Sequence, residues 1–374
     1  MRLAIVSWIA LAILPSFAAA APGPEPVPGP PAAPTPADPT APAPADPAAP
    51  APADPAASNP VDPGATSPAP PAATSPAVPM ATKPATTAVV GGPRPALAAT
   101  LALLFPGAGH AYVGNWGRAA GLFGTEAALI GGGLLLDHAT DDKALGRHYL
   151  VGVGANIHMY GVFDAYREAR RRIGDRGYRH PVDKASYTDL LLAPVSPSAM
   201  FEWRTMAVAS TFIALGVGLR VAFHRENYPD GLYLGNPKRT DNIFGHDVDP
   251  YAAFSLGVPV LGPKYANVGL GEEALFRGVV QSGMSEWWGP GWANLGQATV
   301  FSLFHVINPQ YGFDPAAYFQ ALGAGLAFGW LQEKTHDLRH STAAHAWIDF
   351  AGSLTAYLFD PGENPLAFNV QMPI

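Results

Sequence analysis

The sequence has 374 residues, of which 48% are hydrophobic and 14% are charged, whereas a typical soluble domain has about 25% charged residues. This deficit of charge indicates a membrane protein, and a net charge of −7 without a basic block argues against a nucleic-acid partner. The absence of cysteine excludes disulfides, cysteine-based zinc sites and a thiol nucleophile.

Residues 1–20 have the pattern of a secretory signal peptide. Arg2 supplies the positive start, residues 3–17 form the apolar core, and three alanines at 18–20 form a small-residue cleavage site. An uncleaved anchor helix is the alternative, although the apolar run is short for a span of about 20 residues. Residues 21–93, rich in proline and alanine, predict a disordered, extended linker. A signal peptide would place this tail outside the cytoplasm.

Residues 95–172 form a first hydrophobic block of three segments, and the break at Pro106-Gly107 in the first segment favours a kinked or partly re-entrant helix. The stretch 167–184 holds six arginines and a lysine, so the positive-inside rule places it in the cytoplasm. Counting three spans back from it puts the tail outside, in agreement with the signal peptide.

The first block ends with the run Asp164-Ala165-Tyr166. Together with Pro106-Gly107-x-Gly109-x-x-Tyr112-x-Gly114, this run resembles small membrane domains of the TM2 and DUF5683-like type, which have no defined chemistry. Glu126 lies inside the second segment and is interpreted as a partner in a helix–helix hydrogen bond or as a protonated carboxyl group.

Residues 187–365 form a second block, in which charged residues recur inside apolar stretches. A span is predicted over 206–223, and an apolar stretch then leads into Glu272, Glu273 and Arg277. Glu273 and Arg277 are four residues apart, so they share a helix face and can pair. Glu272 is rotated by about 100° from Glu273, which leaves it free for chemistry.

Three later helical stretches carry the other polar motifs. The first ends in Phe301-x-x-x-His305, and the third holds His345 and Asp349, four residues apart on one face. Between them lies a glycine-rich stretch over residues 316–331, whose small residues allow close helix approach. Three neighbouring amides are interpreted as helix contacts: Gln281, Asn294 and Gln297.

This order of motifs resembles the CPBP family of intramembrane proteases, which includes CAAX proteases, bacteriocin-processing (Abi) proteins and Rce1-like endopeptidases. The resemblance implies an all-α polytopic membrane bundle of about seven to nine transmembrane helices, here in a bacterial cytoplasmic membrane. It also implies hydrolysis of a peptide bond in a membrane-associated protein or peptide. The signal peptide and the composition argue against prenylated substrates.

The family resemblance also implies a role for each candidate residue. Glu272 would be the general base, and His305 would share the attacking water. Glu273 and Arg277 would fix the helix and the local field. His345 and Asp349 would assist at the oxyanion or the water.

Asp349 departs from the family pattern, because many members carry asparagine there and an ionised carboxylate cannot donate a hydrogen bond to an oxyanion. Asp349 is therefore protonated, orients His345, or helps to bind a metal ion. Glu272, His305, His345 and Asp349 would form a nitrogen and oxygen donor set for a divalent ion such as zinc. No His-Glu-x-x-His helix supports that set, and we favour metal-independent catalysis.

Two other functions fit the same sequence. A non-catalytic membrane scaffold or bacteriocin-immunity-type protein would use these residues only to join helices. A transporter with an acidic intramembrane site ranks last, because no inverted repeat is visible.

Overall fold

The computed structural model describes eight stretches of the chain: 92–139, 149–175, 180, 182–224, 241–243, 246–308, 312–313 and 315–359. The prediction of an all-α fold is confirmed, since helices account for almost all of the regular structure in these stretches. The predicted signal peptide and nearly all of the predicted linker lie outside the described residues.

Four helices form the first block: α1 Pro95–Leu104, α2 Ala108–Tyr112, α3 Trp116–Ala139 and α4 Gly152–Arg172. Two short helices follow as a connection: α5 Tyr187–Leu191 and α6 Pro197–Met200. The second block contains five further helices and a π-helical segment: α7 Trp203–His224, α8 Pro250–Glu273, the π segment Ala274–Gln281, α9 Ser282–Trp288, α10 Pro290–Val306 and α11 Pro315–Thr335. The last described helix is α12 Leu338–Phe359.

Two short antiparallel strand pairs lie between helices of the second block. The strands β1 Asp241–Ile243 and β2 His246–Val248 precede α8, with Asn242 opposite Asp247. The strands β3 Ile307–Asn308 and β4 Gly312–Phe313 pair after α10. They therefore mark the ends of helices and add no layer to the fold.

The first apolar segment folds back on itself as a helical hairpin. Gly107, at φ 78°, turns the chain between α1 and α2, and a Cβ on Gly109 would collide with the Ala98 backbone oxygen. The Arg94 N–H donates to the Tyr112 hydroxyl (3.1 Å). The segment thus begins and ends at the same end of the bundle. The predicted count of three spans before the arginine-rich stretch stays a prediction, and the hairpin agrees with the expected kinked or partly re-entrant first segment.

One helix of the described part, over Trp116–Leu136 in α3, is long and apolar enough to cross a membrane. Only 17% of its most apolar window is buried inside the protein, whereas the core helix of a soluble protein would be mostly buried. Large apolar side chains are also exposed on α7, α8 and α10, at Met206, Leu256 and Leu303. The polytopic bundle of seven to nine spans stays a prediction.

The two predicted blocks share one core. Gly271 packs so closely on α4 that a Cβ would lie 2.7 Å from the Cβ and backbone oxygen of Asn156, and Gly278 lies against the ring of Phe163. The buried side chains of Leu275 and Phe276 join a cluster with alanines of α1 and α4. The start of the π segment is thereby fixed against the first block, and π-helical turns often occur at functional sites.

At the end of the bundle where α4 ends, His180 and Asp183 connect other helices, and we call this the arginine-rich end. The His180 N–H donates to the Glu286 carboxylate on α9 (3.3 Å). The Leu338 N–H, at the start of α12, donates to the Asp183 carboxylate (2.7 Å). The end of α4, the end of α9 and the start of α12 therefore meet at this end.

Candidate active site

The two adjacent glutamates are the last residues of α8, directly before the π segment. The Arg277 Nη1 atom donates to Glu273 Oε1 at 2.8 Å, and both side chains are 0% exposed. The Arg277 guanidinium also lies over the rings of Phe301 (4.5 Å) and Phe328 (5.1 Å). The structure thus contains the Glu273–Arg277 pair that the spacing predicts, in a fully buried form. Breaking such a pair leaves an uncompensated buried charge, which is strongly destabilising.

The same Glu273 oxygen also contacts His345, which the sequence did not predict. His345 Nδ1 lies 2.8 Å from Glu273 Oε1, and because the carboxylate can only accept, Nδ1 is the donor. The ring of Phe328 stacks on the imidazole, with centroids 4.8 Å apart and an angle of 18°. His345 is therefore held in one orientation, with Nε2 directed away from Glu273.

Glu272 faces two imidazole nitrogens. Its Oε2 atom is buried without a hydrogen-bond partner among the described atoms, and lies 3.4 Å from His305 Nε2 and 3.7 Å from His345 Nε2. His305 Nδ1 donates to the backbone oxygen of Phe301 (2.8 Å). Both histidines therefore use Nδ1 for orientation and direct Nε2 towards Glu272.

Asp349 completes the cluster. Its Oδ2 atom lies 3.5 Å from His345 Nε2, one helical turn along α12. It is the most exposed of the six candidate side chains, at 22%. The structure thus brings all six predicted site residues together, from α8, the π segment, α10 and α12.

This arrangement suits proton transfer to and from a small molecule. With Nδ1 occupied, each imidazole can carry either a proton or a lone pair at Nε2. When both are neutral, Glu272 Oε2 and the two Nε2 atoms are three acceptors directed at one point. A water molecule brings two O–H donors to such a point, so the cluster can hold and polarise water.

Three amides hold the glycine-rich helix α11 against the site. Gln297 Nε2 donates to the Gly325 oxygen (2.8 Å), which also accepts from Arg277 Nη2 (3.2 Å). Gln281 Nε2 donates to the Gly329 oxygen (3.0 Å). The third amide, Asn294, donates to the oxygen of Leu326 on the same helix (3.0 Å). The interpretation of these amides as helix contacts agrees with the structure.

Within the described residues, no group of three or more histidine, aspartate or glutamate side chains is arranged to hold a metal ion. The zinc set predicted from Glu272, His305, His345 and Asp349 therefore gains no support from the geometry. It stays an alternative for experiment, and no step below is routed through a metal.

Two contacts in the site were not predicted from the sequence. Phe328 reads as one more apolar residue of α11, and nothing in its spacing identifies it as the ring that stacks on His345. The contact between Glu273 and His345 joins residues 72 positions apart, so no local pattern reveals it.

Glu126 also has its predicted helix–helix contact, since Oε2 lies 2.8 Å from His158 Nδ1 on α4.

One family model matches the part of the chain that holds the site. Residues 255–351 match the family model described as type II CAAX prenyl endopeptidase Rce1-like, and this range contains all six candidate residues. No curated protein and no solved structure matches the chain. The resemblance of residues 95–172 to TM2 and DUF5683-like domains stays a prediction. Over residues 255–351 the chain is therefore similar to the Rce1-like endopeptidases, a membrane-embedded family, in agreement with the predicted resemblance to the CPBP proteases.

Proposed function

We propose that this protein is an intramembrane endopeptidase that hydrolyses a peptide bond in a membrane-associated protein or peptide. The observation that carries the proposal is the convergence of Glu272 Oε2 with the Nε2 atoms of His305 and His345. Glu272 and His345 are buried, His305 is partly buried at 14% exposure, and all three lie within the residues that match the Rce1-like family.

In the proposed reaction, water is held between Glu272 and His305. Glu272 takes a proton from the water as its oxygen attacks the carbonyl carbon of the peptide bond. The C–N bond then breaks, and the proton passes from Glu272 to the leaving amide nitrogen. General base catalysis of this kind contributes about 10²- to 10⁴-fold to a rate.

His345 and Asp349 would act on the oxyanion that forms during the attack. Glu273 accepts a hydrogen bond from His345 Nδ1, and in the imidazolium form Nε2 also carries a proton that it can donate to the oxyanion. Asp349 lies beside that nitrogen and can donate only when its carboxyl group carries a proton. Donors placed at a developing oxyanion each contribute about 10²- to 10³-fold.

The cellular setting is part of the proposal. Exposed apolar side chains on several helices and the membrane-embedded family support a multi-pass protein in a bacterial cytoplasmic membrane, in contact with lipid. The block over residues 95–172 packs directly on the catalytic helices, so we assign it the role of a support for the site. The substrate class is a membrane protein or a peptide precursor, without a requirement for a prenyl group.

Two substitutions test the proposal. Glu272→Gln and His305→Ala should each abolish processing of membrane peptides while the protein stays folded and inserted. Glu168→Gln, which changes a partly buried carboxylate of α4 that pairs with Arg172 away from the site, is the matched control and should retain processing. Processing that survives both site changes would overturn the proposal and support the non-catalytic scaffold instead.

Chelation tests the zinc alternative on the same protein. Activity that persists after exhaustive chelation would exclude an essential metal ion. Activity that disappears and returns only on addition of zinc would show that the metal-independent reaction above is wrong.

A further inference from the structure

We propose that the turn between α2 and α3 binds the phosphate group of an anionic phospholipid, whose acyl chain lies along the exposed face of α3. Three arginines at this turn would bind the phosphate: Arg94, Arg118 and Arg172. The proposal goes beyond the endopeptidase function, because it concerns the first block and involves no residue of the catalytic cluster. It follows from the position of the arginines, the charges around them and the surface of α3.

The three arginines come from different elements and meet at one turn of the chain. Gly114, at φ 81°, lies in this turn, and a Cβ there would be 3.8 Å from Arg172 Nη1 at the end of α4. Arg118 is in the first turn of α3. Arg94 directly precedes α1, and its N–H donates to the hydroxyl group of Tyr112, two residues before Gly114. The fold thus gathers at one surface three basic residues that are far apart in the sequence.

The neighbouring carboxylates neutralise only part of this positive charge. Asp164 is shared between two guanidinium groups, at 2.7 Å from Arg118 Nε and 2.6 Å from Arg167 Nε. Glu168, one turn further along α4, pairs with Arg172 Nε (3.1 Å). Two carboxylates therefore serve three guanidinium groups, and the arginine before α1 adds a further positive charge. The surface has a net positive charge that attracts an anion.

The two arginines that pair with these carboxylates still have donors for a ligand. The ion pairs of Arg118 and Arg172 both use Nε, and a guanidinium carries four further N–H groups on its two Nη atoms. Their side chains are 43% and 44% exposed. Paired N–H groups of this kind bind phosphate oxygens in a bidentate manner. Each internal carboxylate therefore holds an arginine in place, and the remaining donors can bind a phosphate group.

The surroundings of the turn favour a lipid as the source of the phosphate. The segment Trp116–Leu136 is long and apolar enough to cross a membrane, and only 17% of its most apolar window is buried, so in a membrane most of this helix would contact lipid. Trp116, its first residue, is 71% exposed, and tryptophan is enriched at the membrane surface. The turn therefore lies at the level of the lipid headgroups.

A path for an acyl chain leads from the turn along α3. Gly117, Gly121 and Gly124 have open space where a Cβ would lie, and their spacing of four and three residues places them on one face of the helix. Trp116 and Phe123 are exposed and, at about 100° per residue, both lie on the same side of this glycine face. Small residues bordered by aromatic rings form a shallow apolar groove that fits an acyl chain.

Native mass spectrometry of the full-length protein in detergent tests the proposal. The protein is incubated with phosphatidylglycerol, with phosphatidylcholine of the same acyl chains, or with phosphatidylglycerol and inorganic phosphate together, and bound molecules are identified by mass. The variant Arg94→Gln/Arg172→Gln removes two of the three cations, and Arg94→Lys/Arg172→Lys keeps their charge. The matched control is Arg339→Gln on α12, where the natural arginine is 39% exposed and pairs with Asp337. Melting temperatures without lipid show that each variant is folded.

We expect phosphatidylglycerol to bind more tightly than phosphatidylcholine and to stay bound in the presence of inorganic phosphate. Each basic residue near a membrane surface contributes about fivefold to the binding of anionic lipid, so Arg94→Gln/Arg172→Gln should weaken the binding of phosphatidylglycerol by about 25-fold. The lysine variant and Arg339→Gln should retain most of the binding.

Four results would overturn the proposal. Equal binding of the two lipids would show that the headgroup is not recognised, and an equal loss in Arg339→Gln and Arg94→Gln/Arg172→Gln would show that the attraction is not confined to this turn. Displacement by inorganic phosphate would identify a site for a free anion. Protein dimers in place of lipid adducts would show that a second copy of the chain covers the glycine face, since small residues also pack membrane helices together.

Discussion

His345 Nδ1 and Glu273 Oε1 lie 2.8 Å apart, and the same carboxylate oxygen accepts a hydrogen bond from Arg277. One buried carboxylate therefore neutralises a cation and orients an imidazole. The neighbouring carboxylate, Glu272, is left to face the Nε2 atoms of both histidines. The two adjacent glutamates thus have different surroundings and should respond differently to the same substitution.

Changing each glutamate to glutamine separates these roles. Glu272→Gln removes the proposed base, so we expect hydrolysis to fall by about 10²- to 10⁴-fold with little change in thermal stability. Glu273→Gln leaves the buried charge of Arg277 without its partner, so the free energy of unfolding should fall by about 3–5 kcal/mol. Activity and thermal unfolding of the detergent-solubilised protein measure the two effects. A stable, fully active Glu273→Gln protein would contradict this division of roles.

Asp349 should tolerate asparagine better than alanine. The amide of asparagine can donate a hydrogen bond to the oxyanion from the same position, whereas alanine offers no donor. We expect Asp349→Ala to reduce hydrolysis by about 10²- to 10³-fold, while Asp349→Asn retains most of the activity. If asparagine were as harmful as alanine, the carboxylate itself would be needed, and the oxyanion role would be wrong.

The close contact of α8 with α4 makes Gly271 intolerant of a side chain. A Cβ there would lie 2.7 Å from the Cβ and backbone oxygen of Asn156, and backbone atoms of a packed helix cannot move away easily. We expect Gly271→Ala to destabilise the protein by about 1–3 kcal/mol. Gly262→Ala, on the same helix with open space around it, is the control and should be neutral or stabilising. Equal thermal stability of the two variants would count against this packing.

Asp183 connects α12 to the arginine-rich end. Its carboxylate accepts hydrogen bonds from the N–H groups of Leu338 and Ala185, each at 2.7 Å, and burial raises its pKa. Asp183→Ala removes both acceptors and should destabilise the protein by about 1–2 kcal/mol. Asp183→Asn keeps one of the two oxygen acceptors and turns an NH2 group towards the other N–H, so its melting temperature should lie between those of the natural protein and of Asp183→Ala. A larger loss for asparagine than for alanine would contradict this account.

The sequence predicted those parts of the site that depend on local spacing. Four residues separate Glu273 from Arg277, and His345 from Asp349, and helical geometry alone places each pair on one face. The family resemblance brought the four motifs together. Contacts such as Glu273 with His345, or Phe328 with His345, depend on how distant helices pack, and neither periodicity nor composition encodes that packing.

The hairpin of α1 and α2 shows a second limit of the sequence. Hydropathy identifies an apolar segment but not whether it crosses the membrane or returns. The break at Pro106-Gly107 indicated a kink, but the return of the chain depends on the contact of Gly109 with α1 and on the bond from Arg94 to Tyr112. A count that takes a returning segment for a crossing reverses the predicted side of every residue before it.

The most direct test of the proposed activity compares the peptides of membranes that contain the natural protein with those that contain Glu272→Gln, in water enriched in ¹⁸O. Hydrolysis by activated water predicts peptides that appear only with the natural protein and carry one ¹⁸O atom in the new C-terminal carboxyl group. Identical peptides from both membranes would contradict the assignment of Glu272 as the base of an intramembrane endopeptidase.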